Sequence, residues 1–324
     1  MRMSMNANKN TGFKVIQPGI YSLIEDAGRF GHHAIGLTSG GPLDSNAFRW
    51  ANRLCGDQQK AAAIEITVGG LVLESKVNTT IAVTGANTPL TINAQSRELW
   101  QSHQVKIGDR IELGFATSGS RSYLAVAGGF NIDAIFNSVA TVPREALGGL
   151  HRDGSPLQAG DFIPCTESLS QSQLRVPENR RPDYSANSAL LRVILGYQQK
   201  AFSNIDKQLF FSSEYWVTES SDRMGFRLKG PAIKPTVNGI LSEGICLGAI
   251  QVPADGQPIV LLNDRQTIGG YPKLGSLLSL DIGKLAQLLP GGILRFEPIS
   301  IEQAHNLLLL DRQRFAQSVL QPVE

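Results

Sequence analysis

Cysteine is scarce in this 324-residue chain. Cys55, Cys165 and Cys246 are far apart and odd in number, which excludes a disulfide framework. No Cys-x-x-Cys pair exists, so a thiolate zinc site is excluded as well. Three buried thiols in a reducing compartment are expected. The histidines, His32, His33, His103, His151 and His305, show neither His-Glu-x-x-His nor any other ligand spacing, and no metal site is expected. Thirty-three glycines never fall as Gly-x-Gly, which removes the Rossmann fingerprint. A Walker A loop, a Gly-x-Ser-x-Gly elbow and a Met-Lys-Met that could carry biotin are all missing. Any ATP-driven or biotin-driven chemistry would need much of its apparatus on another chain. No window approaches the roughly 20 apolar residues of a membrane helix. The stretch from Met1 to Thr11 is polar and too poor in apolar residues for a signal peptide. A cytoplasmic protein, not a membrane protein, is expected. Neither sign of charge dominates: Lys plus Arg is 30, Asp plus Glu is 28, and the net charge is +2. That balance leaves no footprint for nucleic acid or for an anionic membrane.

Short Val/Ile/Leu runs separated by glycine-rich turns are abundant. Phe13 to Ile16, Leu71 to Glu74, Ile81 to Thr84, Ser122 to Val126, Leu191 to Leu195 and Ile259 to Leu262 read as strands. Their spacing favours a barrel or sandwich over alternating strands and helices. Three helices are expected. The first runs from about Asp44 to Cys55, capped by Asp44 or Ser45. The second runs from about Ile282 to Leu289, with Asp281 as its cap. The third follows Ser300, whose pairing with Gln303 reads as a capping box ahead of a stripe of Ile301, Ala304, Leu307, Leu308 and Phe315. Thr166 to Ser188 is rich in Ser, Gln, Pro, Asn and Arg and reads as a linker or long surface loop. It divides the chain into halves of comparable size. Similar phrases, Gly108 to Leu113 and Gly291 to Phe296, hint at duplication.

The densest polar segment lies in the second half. Gly248 to Pro253, including Gln251, leads through a strand into Asn263-Asp264-Arg265-Gln266-Thr267 and then Gly269-Gly270-Tyr271-Pro272-Lys273. Strand ends that feed irregular loops are where sites tend to form. Arg265 offers a planar fork for a carboxylate, Lys273 a point charge, and Tyr271 a flat face with a hydroxyl. Together they can bind a small carbonyl or carboxylate compound and stabilise charge developing on oxygen. The same residues also suit a structural turn with an Asp–Arg pair, and both readings stand. Asp222 and Arg223, with Glu243, either complete that cavity or tie two loops together. In the first half, Glu25-Asp26-Ala27-Gly28-Arg29 and Ser39-Gly40-Gly41-Pro42-Leu43-Asp44 precede a helix bearing Asn46, Arg49, Asn52 and Arg53. Gly40 and Gly41 could open an anion site at that helix start, but a plain capped helix is favoured by the spacing.

Read in order, these phrases resemble one family. To those above are added Ala51 to Leu54, Ala82 to Ala86, Tyr123 to Gly129 and Ser221 to Gly225. The family is the biotin-dependent carboxyltransferase subdomain A/B family, also called allophanate hydrolase subunit 2, which includes KipA. The likeness runs from about Val15 to about Ala304. It departs at Gly148 to Ser155, so no role is carried over to Arg152. The resemblance implies a mainly β fold of two tandem cyclophilin-like β-barrel domains with a few short helices. The boundaries expected are 12–170 for the first domain, 171–188 for a linker, and 189–324 for the second domain with its C-terminal helix. The catalytic set expected from the chemistry of the polar segment is Asp264, Arg265, Gln266 and Lys273. The expected substrate-binding set is Tyr271, Asp222, Arg223, Glu243, Gln251, Asp26, Arg29 and Asn52.

Three activities occur in such a family. The first is one subunit of an ATP-dependent 5-oxoprolinase, with ATP and Mg bound by or shared with a partner. There the lactam oxygen is phosphorylated and water then attacks, and the partners are A and B subunits, the latter of the KipI or allophanate hydrolase subunit 1 type. The second is a biotin-dependent carboxyltransferase acting on urea or a related amide, with biotin as cofactor. The third is a KipA-like regulator that binds a kinase inhibitor protein. The stand-alone chain and its polar segment favour the first.

Overall fold

The computed structural model describes residues 11–56, 60–170, 172–237 and 239–323. The polar stretch 1–10, part of the segment expected not to be a signal peptide, lies outside the described residues. Among those described, no helix is long and apolar enough to cross a membrane.

The alternating apolar runs form twenty-two strands among the described residues. The first twelve are β1 (Gly12–Pro18), β2 (Tyr21–Glu25), β3 (Ala63–Thr67), β4 (Leu71–Ser75), β5 (Thr79–Asn87), β6 (Leu90–Ile92), β7 (Gln95–Arg97), β8 (Gln101–Val105), β9 (Arg110–Leu113), β10 (Ser118–Val126), β11 (Phe162–Pro164) and β12 (Leu174–Arg175). Then come β13 (Ser188–Leu195), β14 (Tyr215–Val217), β15 (Gly225–Lys229), β16 (Glu243–Gly244), β17 (Ala249–Gln251), β18 (Ile259–Leu261), β19 (Ile268–Gly269), β20 (Lys273–Leu277), β21 (Ile293–Ile299) and β22 (Gln321–Pro322). The α-helices are α1 (Ser45–Leu54), α2 (Asn204–Ser212), α3 (Ile282–Ala286) and α4 (Ile301–Gln317). The fold is mainly β with few helices, as expected.

Two compact units emerge. The first comprises the described residues up to Arg29, then Ser45–Asp183, then those from Val319 on; the second comprises Phe30–Asp44 and Tyr184–Ser318. This partition differs from a tandem split at 171–188 for two local reasons. The polar stretch 166–188 supplies β12, whose Leu174 pairs with Pro322 of β22 and whose Arg175 pairs with Gln101 of β8. The carbonyls of Gly40, Gly41 and Pro42 all accept from Asn263 Nδ2, at 3.1, 3.2 and 3.1 Å. That loop turns on two left-handed glycines, with φ of 59° at Gly40 and 89° at Gly41.

The first unit holds a six-stranded sheet, ordered β11-β1-β4-β9-β6-β7, and a seven-stranded one, ordered β2-β3-β10-β5-β8-β12-β22. Alternate residues of both, among them Phe13, Leu73, Ile111, Ile64, Val83 and Leu124, form its core. The opposite face of the second sheet carries Glu65, Thr84 and Tyr123. Helix α1 packs there, with Phe48 edge-on to Tyr123 at 6.1 Å and Thr84 Oγ1 donating to the Ala47 carbonyl at 2.7 Å.

The second unit contains a closed barrel, ordered β13-β20-β17-β18-β15-β14-β21, in which parallel pairing of β13 with β21 completes the ring. Leu191, Phe226, Ile250, Val260, Leu274 and Phe296 fill it. The similar phrases at 108–113 and 291–296 occupy different places. β9 lies between antiparallel neighbours, whereas β21 has one parallel neighbour. Three helix expectations need correction. α3 ends at Ala286, and Asp281 makes no side-chain cap because its carboxylate takes Arg192 in a two-pronged pair at 2.8 and 2.6 Å. α4 has its capping box, but of its stripe only Ala304 and Phe315 are buried, and Ile301 is exposed. α2 was not anticipated. Its sequence buries only Phe210, which stacks on Phe296 at 4.5 Å, so it has almost no apolar period to detect.

Candidate functional site

Strand alternation decides what the barrel wall offers to solvent. On β15, Phe226 and Leu228 point into the core, so Gly225, Arg227 and Lys229 point out. On β18, Val260 points in and Ile259 and Leu261 out; on β17, Ile250 points in and Gln251 out. The register sets Arg227 opposite Ile259, Ile259 opposite Gln251, and Gln251 opposite Lys273. These four residues therefore form one transverse row across the outer wall.

Over the first three lies a cavity of about 820 Å³, within the usual range for small-molecule sites. Its floor is Arg227, Ile259, Leu261 and Gln251. Thr218, Asp222, Asp255 and Gln257 line it too, with Gln266 from the segment between β18 and β19 and Tyr271 from that between β19 and β20. The carboxylate of Asp222 accepts from the backbone N–H groups of Met224 (2.8 Å) and Gly225 (3.1 Å), and that of Asp255 accepts from Gln257 N at 3.0 Å. The Gln257 carboxamide holds Gly230 through both its N–H (2.9 Å) and its carbonyl (3.1 Å). The acids are thus committed to their own turns. Arg227 and Lys229 also line the cavity, and neither side chain pairs with a carboxylate among the described residues. The cavity thus carries two cations and two carboxylates, and of these the carboxylates are the ones engaged by neighbouring N–H groups.

Two of its polar groups are buried without a partner: Thr218 Oγ1 and Gln251 Nε2. Gln251 is 1% exposed. An unmet buried donor costs about 1–3 kcal/mol, and such groups call for a role. Gly269 of β19 closes over the Gln251 carboxamide so tightly that a Cβ there would fall 2.9 Å from Nε2.

The remaining residues singled out from sequence sit elsewhere. Asp264 and Arg223 form a buried two-pronged pair, Nε to Oδ2 at 2.9 Å and Nη2 to Oδ1 at 3.2 Å, and Arg223 Nη2 also donates to the Gly41 carbonyl at 2.8 Å. Arg265 is buried and donates to the carbonyls of Ile245 and Leu262, both at 3.1 Å; burial pushes its pKa below the ordinary guanidinium value. Lys273, nearly buried, pairs with Glu243, which also accepts from the Tyr197 hydroxyl and from Gln198 Nε2. The Lys273 ammonium holds the Glu243 carboxyl below the usual carboxylate range. This cluster fastens the two-stranded ribbon β16–β19, in which Glu243 pairs with Gly269. The cavity thus brings together Asp222, Gln251, Gln266 and Tyr271, and not Asp264, Arg265, Arg223, Lys273 or Glu243.

Asp26, Arg29 and Asn52 lie in the first unit. Asp26 accepts from Ser138 Oγ (2.6 Å) and from the N–H groups of Gly28 and Val139, both at 2.9 Å. Arg29, fully buried, donates to the carbonyls of Ile135 (3.2 Å) and Ala140 (3.1 Å), and Asn52 donates to that of Ala61 at 3.1 Å. Sequence reading missed Thr218, Arg227, Lys229 and Gln257. The signal for two of them was available: Gly-Phe-Arg-Leu-Lys alternates, with its cations on one face. The expectation of three buried thiols also needs correction, because Cys55 and Cys165 are buried and Cys246 is exposed.

The second unit is a closed β-barrel whose outer wall carries a cavity lined by two cations, two carboxylates and three carboxamides. The family model for the carboxyltransferase domain, subdomain A and B, matches residues 35–298, and the chain belongs to that family. It is 35% identical to a protein of Escherichia coli K12 named as the C subunit of 5-oxoprolinase, over 90% of this chain and 92% of that protein. It is 32% identical to the protein of the same name from Haemophilus influenzae, over 88% and 90%. Among solved structures, the Kluyveromyces lactis urea amidolyase superposes with a TM-score of 0.87 at 28% identity, over 94% of this chain. The chain spans only 20% of that chain's length. The first two relatives are each named as one component of several, which implies further subunits.

Proposed function

We propose that this chain is the C subunit of an ATP-dependent 5-oxoprolinase, which opens the cyclic amide 5-oxo-L-proline to L-glutamate with hydrolysis of ATP. The observation that carries the reading is length as well as identity. Relatives named as that subunit are matched over 92% and 90% of their own length. The outer-wall cavity supports it. A ring that carries a carboxylate and an amide needs a cation, an apolar floor and an amide-binding group, and Arg227, Ile259 with Leu261, and Gln251 supply these. Gln266 and Tyr271 complete the wall. Asp264, Arg265 and Lys273 act behind it, holding the loops that carry Gln266, Tyr271 and Gly269. ATP and Mg enter as co-substrates held by, or shared with, the A and B partners. Among the described residues no three His, Cys, Asp or Glu groups converge to hold a metal ion.

A second reading is a biotin-dependent carboxyltransferase acting on urea or a related amide. The superposition on urea amidolyase favours it, and the cavity would then take the ureido ring of carboxybiotin. The two separate in one experiment. The chain is purified with its A and B partners, glutamate released from 5-oxoproline and ATP is measured, and each chain is omitted in turn. Loss of release without this chain is expected. Full release in its absence would reject the first reading, and consumption of carboxybiotin with urea would establish the second.

A further inference from the structure

We propose that Arg227 and Gln251 divide recognition of the substrate between them: Arg227 takes its carboxylate and the Gln251 carboxamide takes its lactam edge. This rests on the 5-oxoprolinase reading and names the binding groups within it. The two residues face outward in the same transverse row, each in register with Ile259 between them. Two strand spacings separate their backbones, roughly 10 Å. Two long side chains reaching inward leave room for one five-membered ring over Ile259.

The chemistry of each end is specific. Arg227 lines the cavity with no carboxylate partner among the described residues, and a guanidinium fork suits a carboxylate. Gln251 is 1% exposed, lines the same cavity, and its Nε2 has no partner. Gly269 covers that group and Nε2 is fully buried, so the substrate reaches it only when β19 moves off the carboxamide. A lactam differs from an ordinary peptide bond in being held cis, with N–H and C=O on one edge. A primary carboxamide also carries a donor and an acceptor on one edge, and the two edges can pair through parallel hydrogen bonds. An open-chain trans amide cannot present such an edge. The pairing satisfies the orphaned donor and fixes the ring with its carboxylate towards β15. Lys229, two residues along the same face of β15, also lines the cavity without sharing the row.

The test uses the assembled enzyme and 2-pyrrolidinone, the same lactam without the carboxylate, as a competitive probe. Arg227→Gln should raise KM for 5-oxoproline tenfold to a hundredfold, as expected for loss of a charge-assisted contact. It should leave inhibition by 2-pyrrolidinone within twofold of wild type, and Arg227→Lys should recover part of the loss. Gln251→Met should weaken 5-oxoproline and 2-pyrrolidinone together. Because Gln251 is buried, its variant is checked by circular dichroism and partner binding, while the exposed Arg227 carries the decision. An unchanged KM in Arg227→Gln, an equal loss for both molecules in that variant, or failure of 2-pyrrolidinone to inhibit wild type would overturn the assignment. Glutamate release by the wild-type complex tests the 5-oxoprolinase reading separately.

Discussion

Arg223→Met should damage stability, and through it activity, without touching the cavity. Arg223 and Asp264 are 7% and 2% exposed, and the guanidinium meets both carboxylate oxygens and the Gly41 carbonyl. Removing it strands a buried carboxylate and leaves a buried carbonyl one donor short. Breaking one side of such a pair costs about 3–5 kcal/mol. For a unit of this size, 1 kcal/mol moves the midpoint roughly 2–4 °C, so a fall of roughly 6–20 °C in the melting transition of the second unit is expected. Replacing both partners with apolar groups, Arg223→Met with Asp264→Leu, should recover much of the loss, because no charge is then left buried. Calorimetry on the single and double variants, with glutamate release assayed below each transition, measures both effects. A single variant that melts within about 1 kcal/mol of wild type yet releases no glutamate would show that the pair serves chemistry and not architecture.

Gly269→Ala should place a methyl group against the Gln251 carboxamide and Ile245; a raised KM for 5-oxoproline with partners still bound is expected, and wild-type kinetics would show that β19 does not roof the site. Under native conditions one thiol, Cys246, should react rapidly with a disulfide reagent, while Cys55 and Cys165 wait for unfolding. Burial pushes both of their pKa values up, that of Cys165 to about 12. Two or more fast thiols would contradict the burial. Burial also holds the His103 pKa below its ordinary value, and its Nε2 donates to the Glu98 carbonyl at 2.7 Å. The unfolded chain therefore binds this proton at a higher pH than the native one. The stability that comes from keeping the ring neutral is complete above about pH 6.5 and is lost as pH falls through the depressed native value. Urea unfolding at pH 7.5 and 5.5 should show wild type losing more stability than His103→Gln, and equal losses would remove this contribution.

Much of the architecture was legible because strands advertise themselves by alternation. Phe13 to Ile16, Ile81 to Thr84 and Leu191 to Leu195 all lie in strands. α2 was not legible, since a helix that buries one phenylalanine carries no period. The assignment of 30–44 to the second unit was not legible either. It depends on Asn263 and Arg223 reaching the carbonyls of Gly40, Gly41 and Pro42, across some 180 to 220 residues of chain. The site was half legible. Polar density pointed to a loop whose Gln266 and Tyr271, with Gln251, line the cavity. Density of polar residues, however, measures demand for hydrogen bonds, and most of that demand is met internally by Asp264, Arg265 and Lys273. The free groups, Arg227 and Lys229, sit in an ordinary amphipathic strand, where the outward face of a barrel looks in sequence like any solvated surface.

The most direct measurement is the structure of the assembled enzyme with 5-oxoproline bound. The ring should lie on the outer wall of the barrel over Ile259, with its carboxylate at Arg227 and its lactam edge at Gln251. A substrate found in the first unit, or wholly on a partner with this cavity filled only by solvent, would contradict it.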